Sequence, residues 1–304
     1  MAFSRRTFVS TIAAWPCFAC LPQQVFATAE VGTGILTTVS DGHLVLPGSF
    51  LFDPMPNDEL VPLLAEYGLS KEQLDPPCNL ALYRDDEKTV LFDAGSGPDF
   101  MPTAGKLVDS LDAVGLAPDD VTHVVFTHAH PDHIWGLLDE FDDPLFTGAT
   151  YMMGRAEWDY WWNPETVNTI GHARAAFAVG AKRRMEAIED QVEFFDDGQE
   201  ILPGISAVAS YGHTPGHMSF ELRNGAEAAL LVGDAIGNHH VAFARPDWHS
   251  GSDQDMEQAA RTRMRLLDRL AQEKMLMVGF HLPDGGMGRV ERADEGFRFV
   301  GGNQ

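Results

Sequence analysis

The stretch "VVFTHAHPDHIWGL", Val124 to Leu137, closes an apolar run with His128, His130, Asp132 and His133 inside six residues. Imidazoles and a carboxylate crowded this closely pack poorly against a core. As lone-pair donors they suit a divalent cation. Three later apolar runs close in the same way. "SYGHTPGH" places His213 after Ile205 to Tyr211, "LLVGDAIG" ends on Asp234, and "LMVGFHLPDGG" ends on His281. A buried carboxylate with no partner would be costly. Alternate residues of an extended segment point the same way. His128 and His130 can therefore share one ion, while the turn at Pro131 sends Asp132 and His133 toward another. Four donors from one loop exceed what a single tetrahedral ion requires of it.

These donors need strands to carry them to a common rim. "GILTTVSDGHLVLPG" alternates about Ser40-Asp41-Gly42 and predicts a hairpin, and "NLALYRDDEKTVLFDAG" predicts a second one turning near Asp85 to Lys88. Further strands are expected at Thr122 to Thr127, Ala149 to Met153, Ile205 to Tyr211, Met218 to Leu222, Ala228 to Gly233 and Met275 to Phe280, before a last hairpin. Helices are expected at Gly105 to Val114 and over Arg155 to Ile188 in two pieces broken near Asn163-Pro164. A long helix is expected from Ser252, with Asp255 placed to complete a capping box and a stripe of Met256, Ala260, Met264, Leu267 and Leu270. Strands and helices in this order predict an α/β (α+β) chain, with two packed sheets and helices outside.

The chain has 304 residues and a net charge of −24. Such acidity repels phosphate backbones and anionic lipid, so no nucleic-acid partner is expected. The first 29 residues differ from the rest. "SRRTFV" carries Arg5 and Arg6, and an apolar stretch from Phe8 to Leu21 is too short to span a bilayer. Ala27-Thr28-Ala29 offers a cleavage site. The string resembles a twin-arginine export signal, which implies the twin-arginine machinery as a partner and a periplasmic or secreted product without stable membrane insertion. Residues 30–304 are expected to form one domain. Cleavage after Ala29 takes the net charge to −26 and leaves Cys78 as the sole cysteine, so no internal disulfide is expected.

Taken together, "THAHPDH", "GHTPGH", "GDA" and the terminal "FH" resemble the metallo-β-lactamase-fold superfamily, motif by motif and in order, over nearly all of the mature chain. "LFDAG", Leu91 to Gly95, resembles the motif whose Asp supports the metal loop. The resemblance implies a four-layer αβ/βα sandwich of two mixed sheets. It implies that His128, His130 and His213 bind a first ion and that Asp132, His133 and His281 bind a second. Asp234 would bridge them. Asp93 and His217 would orient ligands without binding metal. Two divalent ions about 3.5–4 Å apart make a shared water a hydroxide at neutral pH and polarise the scissile group. Asp132 is also expected to carry a catalytic proton. Zinc is expected, and manganese, iron and cobalt also suit a His/Asp set.

"LTTVSDGHLVLPGSF", "LPGISAVASYGHTPGH" and "GRVERADEGFRFV" are similar to parts of methyl-parathion hydrolase and its relatives, and N-acyl homoserine lactonases share the same ligand set. The substrate implied is a small neutral ester, lactone or phosphotriester. Two other readings stay open: a metal-binding module without catalysis, and a thioesterase of the glyoxalase-II type. The mixed signs of Arg289, Glu291, Arg292 and Asp294 disfavour the latter. Trp135 stands where relatives carry glycine, and either narrows the pocket or packs. Trp158, Trp161 and Trp162 share helical spacing, and Trp161 and Trp162 are weighed between pocket and core. His239 and His240, five and six residues after Asp234, are within reach of the pocket mouth, but a surface loop is expected. A homodimer is compatible with the sequence.

Overall fold

The computed structural model describes residues 27–302 apart from Ala226. Arg5, Arg6 and the expected signal segment up to residue 26 lie outside the described residues. The first half supplies strands β1 (Thr28–Val31), β2 (Gly34–His43), β3 (Leu46–Pro47), β4 (Gln73–Leu74), β5 (Pro77–Arg84), β6 (Thr89–Phe92), β7 (His123–Phe126), β8 (Thr150–Gly154) and β9 (Val192–Phe195). The second half supplies β10 (Glu200–Leu202), β11 (Ile205–Ala209), β12 (Met218–Asn224), β13 (Glu227–Gly233), β14 (Leu276–Gly279), β15 (Met287–Arg292) and β16 (Phe297–Gly301). Helices α1 (Ser49–Phe52), α2 (Asn57–Glu66), α3 (Leu107–Ala113), α4 (Pro131–Ile134), α5 (Arg155–Trp162), α6 (Thr166–Thr169), α7 (Ala175–Glu186), α8 (Val241–Ala244) and α9 (Met256–Glu273) fall between them.

Two seven-stranded sheets form, in the orders β1-β2-β5-β6-β7-β8-β9 and β10-β11-β12-β13-β14-β15-β16. Both are mixed. Strands β6 to β9 run parallel, as do β13 and β14, while the other pairs are antiparallel. Period-2 alternation divides the core into layers. Val125, Phe92 and Met152 point inward against Phe220, Leu231 and Met218 of the second sheet. Val124, Phe126 and Leu91 point outward, under α3, α5 and α7. On the far side Leu230, Val232 and Met277 pack beneath Leu266, Leu267 and Leu270 of α9. This is the expected αβ/βα sandwich.

Local differences have physical causes. Ser40-Asp41-Gly42 does not turn: β2 runs through it to His43, with a bulge in its pairing to β5. The Asp41 side chain is buried there, where its carboxylate accepts Ser96 N and Leu107 N at 2.8 and 2.9 Å. Helix α9 starts at Met256, not Ser252, because Asp255 is itself the cap, accepting Gln258 N at 2.9 Å. Its buried stripe takes in Leu266 and Arg263, leaving Met256 and Met264 half-buried. The segment Arg155 to Ile188 holds α5, α6 and α7 instead of two pieces. Thr28 and Ala29 pair with Thr37 and Leu36, so the expected cut after Ala29 falls inside β1. No helix among the described residues is long and apolar enough to cross a membrane.

Strands β6, β7, β11, β13 and β14 all end at one rim, and buried polar side chains brace the loops that leave it. Asn79 donates to the carbonyls of Phe280 and Leu282 at 3.0 and 2.8 Å, fixing the loop of His281. Glu157 of α5 accepts from Ala129 N, Trp161 Nε1, Thr214 Oγ1 and Gly216 N at 2.5–3.0 Å, tying the loop after β7 to the loop after β11. Gly216 is required by this approach, since a Cβ there would lie 2.1 Å from Glu157 N. Truncating Glu157 strands these donors away from water, each costing about 1–3 kcal/mol. Because the cavity relaxes in part, Glu157→Ala should lower the unfolding free energy by roughly 3–5 kcal/mol in urea titration. A loss below about 1 kcal/mol would mean that the two loops hold their places without it.

Candidate metal centre

Backbone geometry sets the donors. Asp93 follows β6 in a left-handed conformation, φ 67°, which Asp tolerates better than most residues. Its carboxylate thereby accepts Thr127 N at 2.7 Å, Thr127 Oγ1 at 2.8 Å and His133 Nδ1 at 2.8 Å. One side chain thus fixes both ends of the histidine loop. Gly233 sits at φ 50°, where a Cβ would meet His217 Nε2 at 2.7 Å, and that turn delivers Asp234 to the rim.

Two groups of side chains converge. His128, His130 and His213 form one, and Asp132, His133, Asp234 and His281 form the other; within each, the donor atoms lie within 4.8 Å of one another. Asp234 reaches both, with Oδ2 3.4 Å from His213 Nε2 and 3.3 Å from His281 Nε2. All seven side chains predicted as ligands are therefore brought together and buried.

Hydrogen bonding behind the imidazoles fixes which nitrogen faces forward. His281 Nδ1 donates to the Pro77 carbonyl at 2.8 Å, and His133 Nδ1 to Asp93. His213 Nδ1 lies 3.1 Å from Asp253 Oδ1. Each leaves its Nε2 aimed at carboxylate oxygens. Asp132 Oδ2, His133 Nε2 and Asp234 Oδ1 are buried with no hydrogen-bond partner. Lone pairs facing lone pairs in a dry site require positive charge between them. Histidines backed by a carboxylate or carbonyl are also the usual metal-binding pattern.

The titration behaviour follows the same charges. Burial, aided by neighbouring histidines, holds His128 and His130 well below the ordinary imidazole range. Burial also pulls on His133, but Asp234, Asp132 and Asp93 overcome it and push the ring to about 10. His281 is raised well above its ordinary value, against burial, by Asp234 and Asp132. The second group thus gathers positive charge whenever no metal supplies it.

His217 lies outside both donor groups. Its Nε2 accepts Asp234 N at 3.0 Å and its Nδ1 faces Ser210 Oγ at 2.8 Å, so it holds the backbone of Asp234. Asp253, Arg263 and Glu157 were not anticipated. Arg263 donates to Asp253 at 2.8 Å and to the carbonyls of Pro246 and Trp248, fixing the carboxylate behind His213. A signal existed: Arg263 stands among the buried residues of α9, and Glu157 beside Trp158 and Trp161 on the buried face of α5.

A cavity of about 320 Å³ opens onto His130, Asp132, His213, Asp234 and His281. Its wall is mainly apolar, with Leu51, Met55, Phe100, Phe177 and Val241 prominent. The three tryptophans weighed for this wall lie elsewhere. Trp161 is core, donating to Glu157 and touching His130 edge-on. Trp162 stacks on Trp158 under Lys182. Trp135 packs against Phe100 and beneath Arg184. Conversely His239 and His240, expected at the surface, line the cavity, and His240 is buried.

Comparison with known proteins agrees with this architecture. The fold resembles that of AidC, a dizinc quorum-quenching lactonase solved with N-hexanoyl-L-homoserine, with a TM-score of 0.85 at 24% identity over 93% of this chain and 99% of that one. It also resembles the hydrolase AbOPH, with a TM-score of 0.83 at 24% identity over 91% and 97%. In sequence, the N-acyl homoserine lactonase AttM of Agrobacterium fabrum is 32% identical over 128 residues, 41% of this chain and 44% of that protein's length. The N-acyl homoserine lactonase AiiA of Bacillus thuringiensis is 22% identical over 138 residues, 43% and 45% of the two lengths. Residues 75–281, most of the chain and all of the converging donors, match the Metallo-beta-lactamase superfamily, and the chain belongs to that family.

Proposed function

We propose that this chain is a dinuclear metal-dependent hydrolase that opens a neutral lactone bearing an apolar acyl arm. The observation that carries this reading is the pair of donor groups, with unpartnered Asp132 Oδ2, His133 Nε2 and Asp234 Oδ1, at the mouth of an apolar cavity. His128, His130 and His213 would hold one ion and Asp132, His133 and His281 the other, with Asp234 between. When bound, two such ions polarise the scissile carbonyl and lower the pKa of water. Zinc is the ion that a resemblance to a dizinc fold favours, and the donor set also accepts manganese, iron or cobalt.

The chain's own residues divide the remaining work. The apolar wall takes the acyl arm and excludes water. Water adds to the carbonyl carbon, the bond from that carbon to the ring oxygen breaks, and a proton passes to the departing alkoxide. Asp132 lines the cavity with Oδ2 3.2 Å from His281 Nε2, and a carboxylate at that place is suited to carry the proton. The neutral substrate accords with a net charge of −24. Export in folded form to the periplasm belongs to the same reading and rests on Arg5 and Arg6.

Elemental analysis of gently purified protein should give two metal equivalents per chain. Chelation should abolish the acid release that follows lactone opening, and zinc should restore it. Asp234→Asn keeps the volume but removes the charge shared by the two groups. It should lower turnover by more than the 10–100-fold typical of supporting residues, with partial recovery at high metal concentration. Full metal content together with full turnover in that variant would exclude the shared site. Asp253→Asn leaves the ligands intact but loosens His213, and should weaken metal affinity about 10–100-fold. An unchanged affinity by competitive chelation would show that His213 needs no such support. Replacing Arg5 and Arg6 by lysine should trap precursor in the cytoplasm, and normal periplasmic yield on fractionation would exclude the twin-arginine route.

A further inference from the structure

The cavity wall is apolar except where the donor cluster and a few polar side chains meet it. Most of those polar groups are already occupied. Asn238 Oδ1 accepts Ala242 N at 2.9 Å, Ser250 and Ser252 bond each other at 2.9 Å, and Asp253 holds His213 and Arg263. His240 differs. It lines the cavity at 3% exposure, and its Nδ1 is shut off from water with no partner. Its position is firmly set. The His240 carbonyl accepts Phe243 N and Ala244 N at the start of α8, and its ring lies 6.2 and 5.9 Å from those of Phe52 and Tyr67. Nδ1 is closed to a ligand as well as to water, so a molecule in the cavity can meet this ring only through Nε2.

We propose that His240 is the specificity-determining residue of the cavity, exchanging a hydrogen bond with the amide of the substrate's acyl arm. The inference rests on reading the chain as a lactone hydrolase whose acyl arm fills this cavity. Three features select an amide. Burial, with His239 beside it, holds the His240 ring neutral down to about pH 3, so a charged ligand group finds no counter-charge there. A nitrogen of a neutral imidazole donates or accepts according to the tautomer, so Nε2 can meet either the N–H or the carbonyl of an amide. Finally, His240 lines the same cavity as the donor Asp234 and the apolar Val241, so an acyl arm held there shares the cavity with it.

The test compares two lactones on the full-length metal-loaded protein: an N-acyl homoserine lactone, and a γ-butyrolactone carrying an alkyl arm of equal length without the amide. His240→Leu should reduce kcat/KM about tenfold on the amide lactone, mainly through KM, the size expected for one stranded neutral hydrogen bond. It should leave the alkyl lactone and the metal content unchanged, and, because it removes the unpartnered Nδ1, it should not lower the thermal midpoint. His240→Gln retains a neutral donor and acceptor and should recover most of the loss. Equal losses on both lactones, or no loss on the amide lactone, would overturn the proposal. If the wild-type protein opens neither lactone, the functional reading fails by itself. Calorimetric binding of the same two lactones then decides on His240: selective weakening of the amide lactone in the Leu variant supports the proposal, and its absence overturns it.

Discussion

Lone pairs aimed at one another in a dry site repel, and the rim of this sandwich is built to hold them there. Seven buried donors converge within a few ångströms. Left alone they would separate, take up protons or draw in water. The fold resists by bonding the back of each forward-facing group. Asp93 holds His133, the Pro77 carbonyl holds His281, Asp253 faces His213, and His217 holds the backbone of Asp234. These supports come from different strands and loops, so the sheet register itself becomes part of the ligand geometry. A one-residue slip would turn every donor away from the rim.

The second tier of support is longer in range. Asp93 lies 40 residues from His133 in sequence, Asn79 lies 201 from Phe280, and Glu157 lies 59 from Gly216. The Asn79 and Glu157 bonds join segments of the two halves of the chain, so the centre is held by the whole domain and not by a local loop. Its burial has a related origin, because β7, β13 and β14, which deliver six of the seven donors, lie well inside their sheets.

The donors themselves were legible in the sequence because each closes an apolar run, a signal that survives without any knowledge of pairing. The layered architecture was legible for the same reason: period-2 runs broken by helical segments leave few arrangements. What escaped was carried by single polar residues whose partners are distant. Asp41 looked like a turn residue, because Ser-Asp-Gly is a turn tripeptide, yet it is buried inside a continuous strand. Trp161 was balanced between pocket and core, because helical spacing cannot tell which face meets a distant Glu157. His239 and His240 looked exposed because no apolar periodicity surrounds them. Their cover comes from Phe52 and Tyr67, more than 170 residues earlier in the chain. The helices α1 and α2 went unread, since Pro54, Pro56 and Pro62 interrupt the pattern, although α2 runs through Pro62.

Those two helices have their own small core. Leu51, Phe52, Met55, Leu60, Leu64, Leu74 and Val241 pack together as a cluster separate from the layers of the sandwich. The catalytic rim and the cover of the cavity are thus stabilised by different sets of contacts. A substitution within the cover disturbs few of the bonds that aim the donors, and one at the rim disturbs few of those that shape the cover. Such a division lets ligand preference drift over evolutionary time while the reactive centre stays fixed. Family members with matching rims should then differ most in the segment between β3 and β4.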